Sequence, residues 1–235
     1  MAVTIGVLAL QGGFLEHLSL LQRSAQHLAS SPEYAKKFTF ELIEVRNPQD
    51  LAKCDALVIP GGESTTIALI AAQSGLLEPL REFVKTSQKP TWGTCAGLIL
   101  LAEQANATKK GGQELIGGLD VRVHRNHFGR QIESFVADVQ LPFLAQSGVL
   151  SEADCTAPFP GVFIRAPIVE ELLVSMQQEE KATAAAINSL EVHGGDLNNI
   201  VAVRQGNIMG TSFHPELTDD IRIHVWWLEQ VLKTL

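Results

Sequence analysis

Short apolar segments alternate with amphipathic ones along the first hundred residues. Residues 2–10 and 56–59 are almost continuously apolar, which is typical of strands buried on both faces of a parallel sheet. Each runs into a glycine-containing turn and then into a helical pattern, at residues 14–28 and at about 65–77. Residues 38–45 alternate as a further strand. This order predicts an α/β fold, with a central, mostly parallel sheet between layers of helices.

The second half of the chain shows shorter patterns. Further strands are predicted at residues 119–123, 131–139, 161–167, 185–192, 199–203 and 207–213. The pattern at 131–139 alternates loosely, as in an edge or antiparallel strand. Residues from about 219 to 232 form an amphipathic helical pattern, whereas the charged, glutamine-rich residues 170–183 fit no element firmly. No linker or internal repeat divides the chain, so we expect one domain over residues 1–235.

Charge and cysteine content narrow the classes of function. The 235 residues carry a net charge of -8 and no cluster of Lys and Arg, which argues against a nucleic-acid or anionic-membrane surface. No apolar run approaches the ~20 residues of a membrane span. The three cysteines are far apart and match neither a disulfide framework nor a zinc site. We expect a soluble, cytoplasmic protein without a metal or cofactor, whose partners are small molecules or proteins.

The central chemical motif is Gly-Thr-Cys-Ala-Gly at residues 93–97. A GxCxG pattern between a strand and a helix is typical of a nucleophile elbow, in which a tight turn presents the central side chain. Glycines flank Cys95 because strand and helix leave no room there for a Cβ. The positive end of a helix beginning near Gly97 favours the thiolate. Taken alone, the motif fits a small buried cysteine equally well.

Two glycine turns follow the early strands. The turn at residues 11–13 lacks the third glycine of a dinucleotide-binding motif, because Glu16 and His17 follow instead. Gly61 and Gly62 follow the strand at 56–59, and their position before a helix could expose backbone N–H groups to an anion. A plain capped loop has the same pattern.

Two arginines stand near the ends of strand patterns. Arg125 follows residues 119–123, and Arg165 closes the apolar run that begins at residue 161. Either side chain could hold a carboxylate. An ordinary solvated arginine is an equally good interpretation of each.

A thiolate nucleophile needs a base, and the base needs a third group that fixes its tautomer. His214 follows an apolar strand, and Glu216 stands two residues later. In an extended segment residues two apart face the same side, so the carboxylate can lie near the imidazole, with Pro215 stiffening the chain. The other histidines are interpreted as surface or partner-facing residues: His17, His27, His124, His127, His193 and His224.

Several blocks together resemble the class I (triad) glutamine amidotransferases, and more narrowly the glutaminase subunits of pyridoxal 5′-phosphate synthase. The resemblance covers nearly the whole chain. It implies a flavodoxin-like, three-layer fold, and hydrolysis of L-glutamine to L-glutamate and ammonia. It also implies a separate β/α-barrel synthase subunit that receives the ammonia to build pyridoxal 5′-phosphate. The blocks are GVLALQG at 6–12, PGGESTT at 60–66, GTCAGL at 93–98, RN at 125–126 with FGRQ at 128–131, FIRAP at 163–167 and SFHPELT at 212–218.

The resemblance also implies roles for individual residues. The triad falls on Cys95, His214 and Glu216. Oxyanion contacts fall on the N–H groups of Gly62 and Ala96. Gln11 lies in the segment that, in the family, contacts the synthase and influences the oxyanion loop. Glutamine contacts fall on Gly61, Gly62, Glu63, Arg125, Ile164 and Arg165.

Three stretches appear longer here than in shorter members of that family, at residues 29–38, 107–113 and 170–183. Their composition predicts surface loops, which leaves the chemical motifs intact. Two alternatives stay open: a triad glutaminase that serves another ammonia-accepting synthase, and a non-catalytic subunit that keeps the fold. A cysteine peptidase is disfavoured, because the pocket residues suit a free amino acid.

Overall fold

The computed structural model describes residues 1–35, 37–106, 112–125, 134–173, 185–188 and 200–235, and the backbone alone for 185–188. Its strands are β1 (Ala2–Leu8), β2 (Thr39–Val45), β3 (Ala56–Ile59), β4 (Thr91–Thr94), β5 (Ala102–Ala105), β6 (Leu119–His124), β7 (Phe135–Val139), β8 (Phe159–Phe163), β9 (Ile168–Leu172), β10 (Ala185–Asn188), β11 (Ala202–Gln205) and β12 (Ile208–Thr211). Its α-helices are α1 (Phe14–Ser30), α2 (Pro48–Leu51), α3 (Ser64–Gln73), α4 (Leu77–Arg81), α5 (Ala96–Leu101), α6 (Glu152–Thr156) and α7 (Arg222–Leu232).

A seven-stranded sheet in the order β10-β11-β12-β4-β3-β1-β2 forms the centre of the described part of the chain. The strands from β12 to β2 are parallel to their neighbours, whereas β11 and β10 run antiparallel at one edge. This arrangement confirms the predicted α/β class with a mostly parallel sheet.

Apolar side chains of the central strands point alternately to two cores, as the period of a strand requires. In β3, Ala56 and Val58 join the core that contains residues of α1 and α7. Leu57 and Ile59 join the core that contains residues of α3 and α5. Both faces of the sheet are therefore covered, which explains why these strands are apolar throughout.

Two smaller sheets lie beside the main one: β5-β6-β9, and the antiparallel pair β7-β8. The pairing of β7 confirms the predicted antiparallel strand from Phe135 to Val139, whereas residues 131–133 lie outside the described residues. The strand predicted at 161–167 corresponds to β8, which begins earlier, at Phe159, and ends earlier, at Phe163. Ile164 and Arg165 therefore lie in the bend after the strand, and Arg165 adopts a φ of 44°.

Other predicted boundaries shift for local reasons. The helix expected at about 65–77 ends at Gln73, because Gly75 turns the chain with a φ of 72°, and α4 follows as a separate helix from Leu77. The last helix begins at Arg222 and not near residue 219. The predicted strand at 185–192 is described as far as Asn188. Among the described helices, none is both long and apolar enough to cross a membrane.

Candidate active site

The carboxyl ends of the central parallel strands meet at one edge of the sheet, which is where open α/β folds bind their ligands. A cleft of about 380 Å³ lies there. Every predicted site residue lines it except Ala96, the buried residue directly after Cys95. The lining is formed by Gln11, Gly12, Gly13, Glu16, Gly61, Gly62, Glu63, Ser64, Cys95, Ile99, Arg125, Ile164, Arg165, His214, Glu216 and Leu217.

Cys95 lies at a strained turn between β4 and α5. Its φ of 47° and ψ of -97° lie outside the regions that a non-glycine residue populates freely. The crowding expected beside it is present, since a Cβ on Gly93 would lie 2.4 Å from the carbonyl carbon of Gly97. The helix begins at Ala96, one residue earlier than predicted. Cys95 Sγ lies 3.9 Å from the Ile164 carbonyl oxygen, which accepts its hydrogen bond.

His214 and Glu216 form a buried pair beside the cysteine. His214 Nδ1 lies 2.7 Å from Glu216 Oε1, a distance at which the ring N–H donates to the carboxylate. The backbone N–H of His214 donates to the Val162 carbonyl at 2.8 Å, which ties this segment to β8. Glu216 lies in a 3₁₀ turn, Pro215–Leu217, and not in the extended segment that the sequence predicted.

The pKa values of this pair move in opposite directions. Burial disfavours the charged imidazole of His214, but hydrogen bonds with Cys95 and Glu216 outweigh it and raise its pKa to about 10. Burial alone would raise the pKa of Glu216, yet the neighbouring His17 and His214 hold it well below its usual range. In the folded protein these shifts favour the imidazolium form of His214 and the carboxylate form of Glu216.

These shifts predict how stability depends on pH. The pKa of His214 is raised from 6.5, so its contribution to folding is complete below pH 6.5 and is lost as the pH rises towards 10. Glu216 contributes above pH 4.5, and that contribution is lost as the pH falls further. As the pH rises from 6.5 to 10, the free energy of unfolding of wild type should therefore fall relative to that of His214→Asn. The expected change in the difference between the two proteins is more than about 1 kcal/mol.

Urea unfolding at a series of pH values checks this prediction. His27→Asn is the matched control, because His27 lies exposed on α1 and its difference from wild type should be constant. A His214→Asn difference that is equally constant would contradict the assigned charge states.

The glycine loop after β3 is fixed against the base and the cysteine. A Cβ on Gly61 would lie 2.2 Å from Cε1 of the His214 ring, so only glycine fits there. The Gly61 N–H donates to Thr94 Oγ1 at 2.9 Å. The Glu63 N–H donates to Gln11 Oε1 at 2.7 Å. Gln11 therefore holds this loop from inside the cleft.

Three charged side chains lie at one end of the cleft. Glu63 Oε1 lies 3.6 Å from Arg125 Nη2, and Glu63 Oε2 lies 3.7 Å from Arg165 Nη2. Arg125 is buried, whereas Arg165 is partly exposed. One carboxylate and two guanidinium groups match the charges of a free amino acid, which carries one ammonium and one carboxylate. The rest of the block at 126–131 lies outside the described residues.

Two histidines expected at the surface are buried behind the triad candidates. His17 and His224 are fully buried, and His17 Nδ1 lies 3.0 Å from His224 Nε2. The interpretation of both as surface residues was therefore wrong. A signal was available for His17, because it falls on the apolar stripe of α1 with Leu20, Leu21 and Leu28. His27 is exposed as expected, and His127 and His193 lie outside the described residues.

A search of the described residues finds no group of three or more His, Cys, Asp and Glu side chains placed to hold a metal ion. Cys54 and Cys155 are free thiols. Burial raises the pKa of Cys54 to about 12 and that of Cys155 above its usual value, so neither matches a reactive thiolate.

The chain matches known proteins in sequence and in fold. Residues 7–233 match the model of the SNO glutamine amidotransferase family. The chain belongs to this family. It is 45% identical to a pyridoxal 5′-phosphate synthase subunit PdxT of Streptomyces griseus, over 97% of this chain and 95% of the relative. It is 43% identical to the pyridoxal 5′-phosphate synthase subunit SNO1 of Saccharomyces cerevisiae, over 97% and 93%.

A solved structure described as a glutamine amidotransferase superposes on the chain with a TM-score of 0.72 and 35% identity, covering 97% of this chain and 98% of the other. Together these findings confirm the recognised family and the fold class.

Proposed function

We propose that this chain is the glutaminase subunit of a pyridoxal 5′-phosphate synthase. It hydrolyses L-glutamine to L-glutamate and ammonia and passes the ammonia to a separate synthase subunit, a β/α barrel. The observation that carries the proposal is one cleft that holds a cysteine on a strained elbow beside a buried His–Glu pair. Family membership and the names of the relatives support the same reading.

The first half of the reaction forms a thioester. Cys95 Sγ, whose proton is taken by His214, attacks the side-chain amide carbon of glutamine. The charge that develops on the amide oxygen is held by the N–H groups of Gly62 and Ala96. His214 then gives its proton to the nitrogen, the C–N bond breaks, and ammonia leaves. The raised pKa of His214 favours a ring that holds this proton until the nitrogen needs it.

The second half releases glutamate. His214 removes a proton from water, the resulting hydroxide attacks the thioester carbon, and the C–S bond breaks. The sulfur leaves as a thiolate, and the product carries the new carboxyl oxygen. Glu216 stays ionised throughout and stabilises the imidazolium, as the third member of a triad does.

The charged end of the cleft holds the amino-acid part of the substrate. In this proposal Glu63 binds the α-ammonium, and Arg125 or Arg165 binds the α-carboxylate. Ile164 and Gly61 shape the wall between them. Glu63 and the two arginines bind substrate atoms that do not react. They therefore stabilise the bound substrate and the transition state equally.

Glu63→Gln is therefore expected to raise KM for glutamine by about 10- to 100-fold with kcat within about threefold of wild type. The loss follows from removing the carboxylate of Glu63, which lies between Arg125 and Arg165. Steady-state glutamate release over a range of glutamine concentrations measures it.

Glu78→Gln is the matched control, because Glu78 pairs with Arg81 on the surface of α4 and should leave both constants unchanged. An unchanged KM in Glu63→Gln would remove Glu63 from the binding site.

The 235 residues act as one domain, in the cytoplasm, where the free thiols stay reduced. Gln11 couples the glycine loop to the partner, since it lines the cleft and accepts the Glu63 N–H. Docking of the synthase near Gln11 would then set the loop for catalysis.

A glutaminase assay with and without a pyridoxal 5′-phosphate synthase barrel tests the proposed function. We expect glutamate release to rise on adding the barrel, and pyridoxal phosphate to form from glutamine. Glutamate release without any response to that barrel would favour another ammonia acceptor. No release in either condition would contradict the glutaminase itself.

A further inference from the structure

Two histidines approach the two oxygens of Glu216. His214 Nδ1 lies 2.7 Å from Oε1, and His17 Nε2 lies 3.3 Å from Oε2. Oε2 is buried, and in the described part of the chain no group, His17 included, makes a hydrogen bond of ordinary geometry to it; His17 Nε2 lies within ion-pair distance. A buried carboxylate oxygen is costly unless a donor faces it. His17, on α1, is the donor placed there.

Buried aromatic side chains fix the position of the His17 ring. Its Nδ1 lies 3.0 Å from His224 Nε2 on α7. The ring of Trp92 packs edge-on against both imidazoles, with centroid distances of 5.6 Å to His17 and 4.8 Å to His224. All three side chains are buried, so the His17 ring has no room to turn away from Glu216.

The neighbours of His17 also fix which ring nitrogen carries its hydrogen. Burial lowers the pKa of His224 well below its ordinary value, so His224 is neutral and has one N–H. His224 Nδ1 has no hydrogen-bond partner in the described part of the chain, and a buried N–H without a partner is rarer than a buried acceptor without one. The hydrogen of His224 therefore lies on Nε2 and points to His17 Nδ1.

This assignment leaves the hydrogen of His17 on Nε2. From there it faces Glu216 Oε2 at 3.3 Å and Thr94 Oγ1 at 3.2 Å. Thr94 Oγ1 also accepts the Gly61 N–H, so the same contacts join the carboxylate to the glycine loop. The histidine on the core stripe of α1 thus touches two parts of the candidate active site without entering the cleft.

We propose that His17 is a positioning residue, whose Nε2–H holds Glu216 ionised and oriented behind His214. The catalytic consequence rests on the function proposed above. Without this donor, Glu216 would bind a proton more readily and support the His214 imidazolium less well. The titratable groups around it are His17 and Glu16 from α1, His214 after β12, His224 from α7 and, beyond His214, Cys95.

Two amide substitutions separate this role from simple packing. His17→Gln places an amide N–H near the position of Nε2, whereas His17→Asn reaches only the position of Nδ1 and loses the donor to Glu216. Compared with wild type in the assembled complex, His17→Asn should lower kcat by about tenfold or more with KM within about twofold. In the pH profile of kcat, the midpoint on the acid side should rise by about one pH unit. His17→Gln should recover most of both effects, and the exposed His27→Gln should show neither.

A second measurement does not depend on turnover. In protein with ¹³C-labelled glutamate carboxyls, the Glu216 signal, assigned by its loss in Glu216→Gln, should remain ionised at pH 4.5 in wild type and His17→Gln. Its midpoint should rise by about one unit or more in His17→Asn.

An unmoved Glu216 midpoint in folded His17→Asn would overturn the proposal, even if activity or stability fell. The same holds if His17→Gln and His17→Asn behave alike in both measurements. A shifted midpoint in a protein that never releases glutamate would keep the positioning role and refute the glutaminase.

Discussion

Replacing Cys95 by alanine is expected to lower glutamate release in the assembled complex by at least about 10⁴-fold. The reason is that no thioester can form without the sulfur. The fold should persist, because the change removes one atom from a side chain that faces the cleft. Glutamate release and the thermal midpoint of unfolding, measured on the same preparation, check both parts.

Cys155→Ala is the matched control for this substitution. Its thiol lies outside the cleft, donates to the Leu144 carbonyl at 3.1 Å and has a raised pKa, so activity should stay at the wild-type level. Undiminished glutamate release by Cys95→Ala, with the fold intact, would contradict the assignment of the nucleophile.

Gly97→Ala is expected to destabilise the fold by about 3 kcal/mol or more. A Cβ at this position would lie 2.1 Å from the Ile59 carbonyl oxygen. That oxygen belongs to the backbone of β3 and cannot move aside, so the elbow and the neighbouring strand would have to separate. Helix propensity alone predicts the opposite sign, because alanine is favoured over glycine by about 1 kcal/mol inside a helix. Urea unfolding of the two proteins decides between the two effects.

Gly75→Ala separates crowding from backbone strain. Nothing lies within 4 Å of a Cβ built there, but φ is 72°, so a cost of only about 1 kcal/mol is expected. If Gly97→Ala were as stable as wild type or more stable, the close approach of α5 to β3 would be wrong. The strained position of Cys95 would then lose its structural explanation.

Much of the site could be predicted because its signals are local. The elbow at 93–97, the loop at 60–66 and the pair His214 and Glu216 each combine a strand end with special residues over a few positions. Parallel strands then bring these ends to one edge of the sheet. Local pattern and global topology agree here, as they do in sequences that fold well.

The rest depends on contacts between distant parts of the chain. His17 and His224 are 207 positions apart, and nothing near either residue indicates that they share a hydrogen bond. Arg165 was expected at a strand end, but β8 stops at Phe163 because its partner β7 begins opposite that residue. Such features depend on tertiary packing, and tertiary packing overrides local propensity.

In the proposed reaction Cys95 is the nucleophile and His214 activates it. The most direct test is to treat the complex with a glutamine analogue that carries a thiol-reactive diazoketone, and to locate the adduct by peptide mass spectrometry. We expect a single adduct on Cys95, formed at least about 100-fold more slowly in His214→Asn. An adduct on Cys54 or Cys155, or an unchanged rate in His214→Asn, would contradict it.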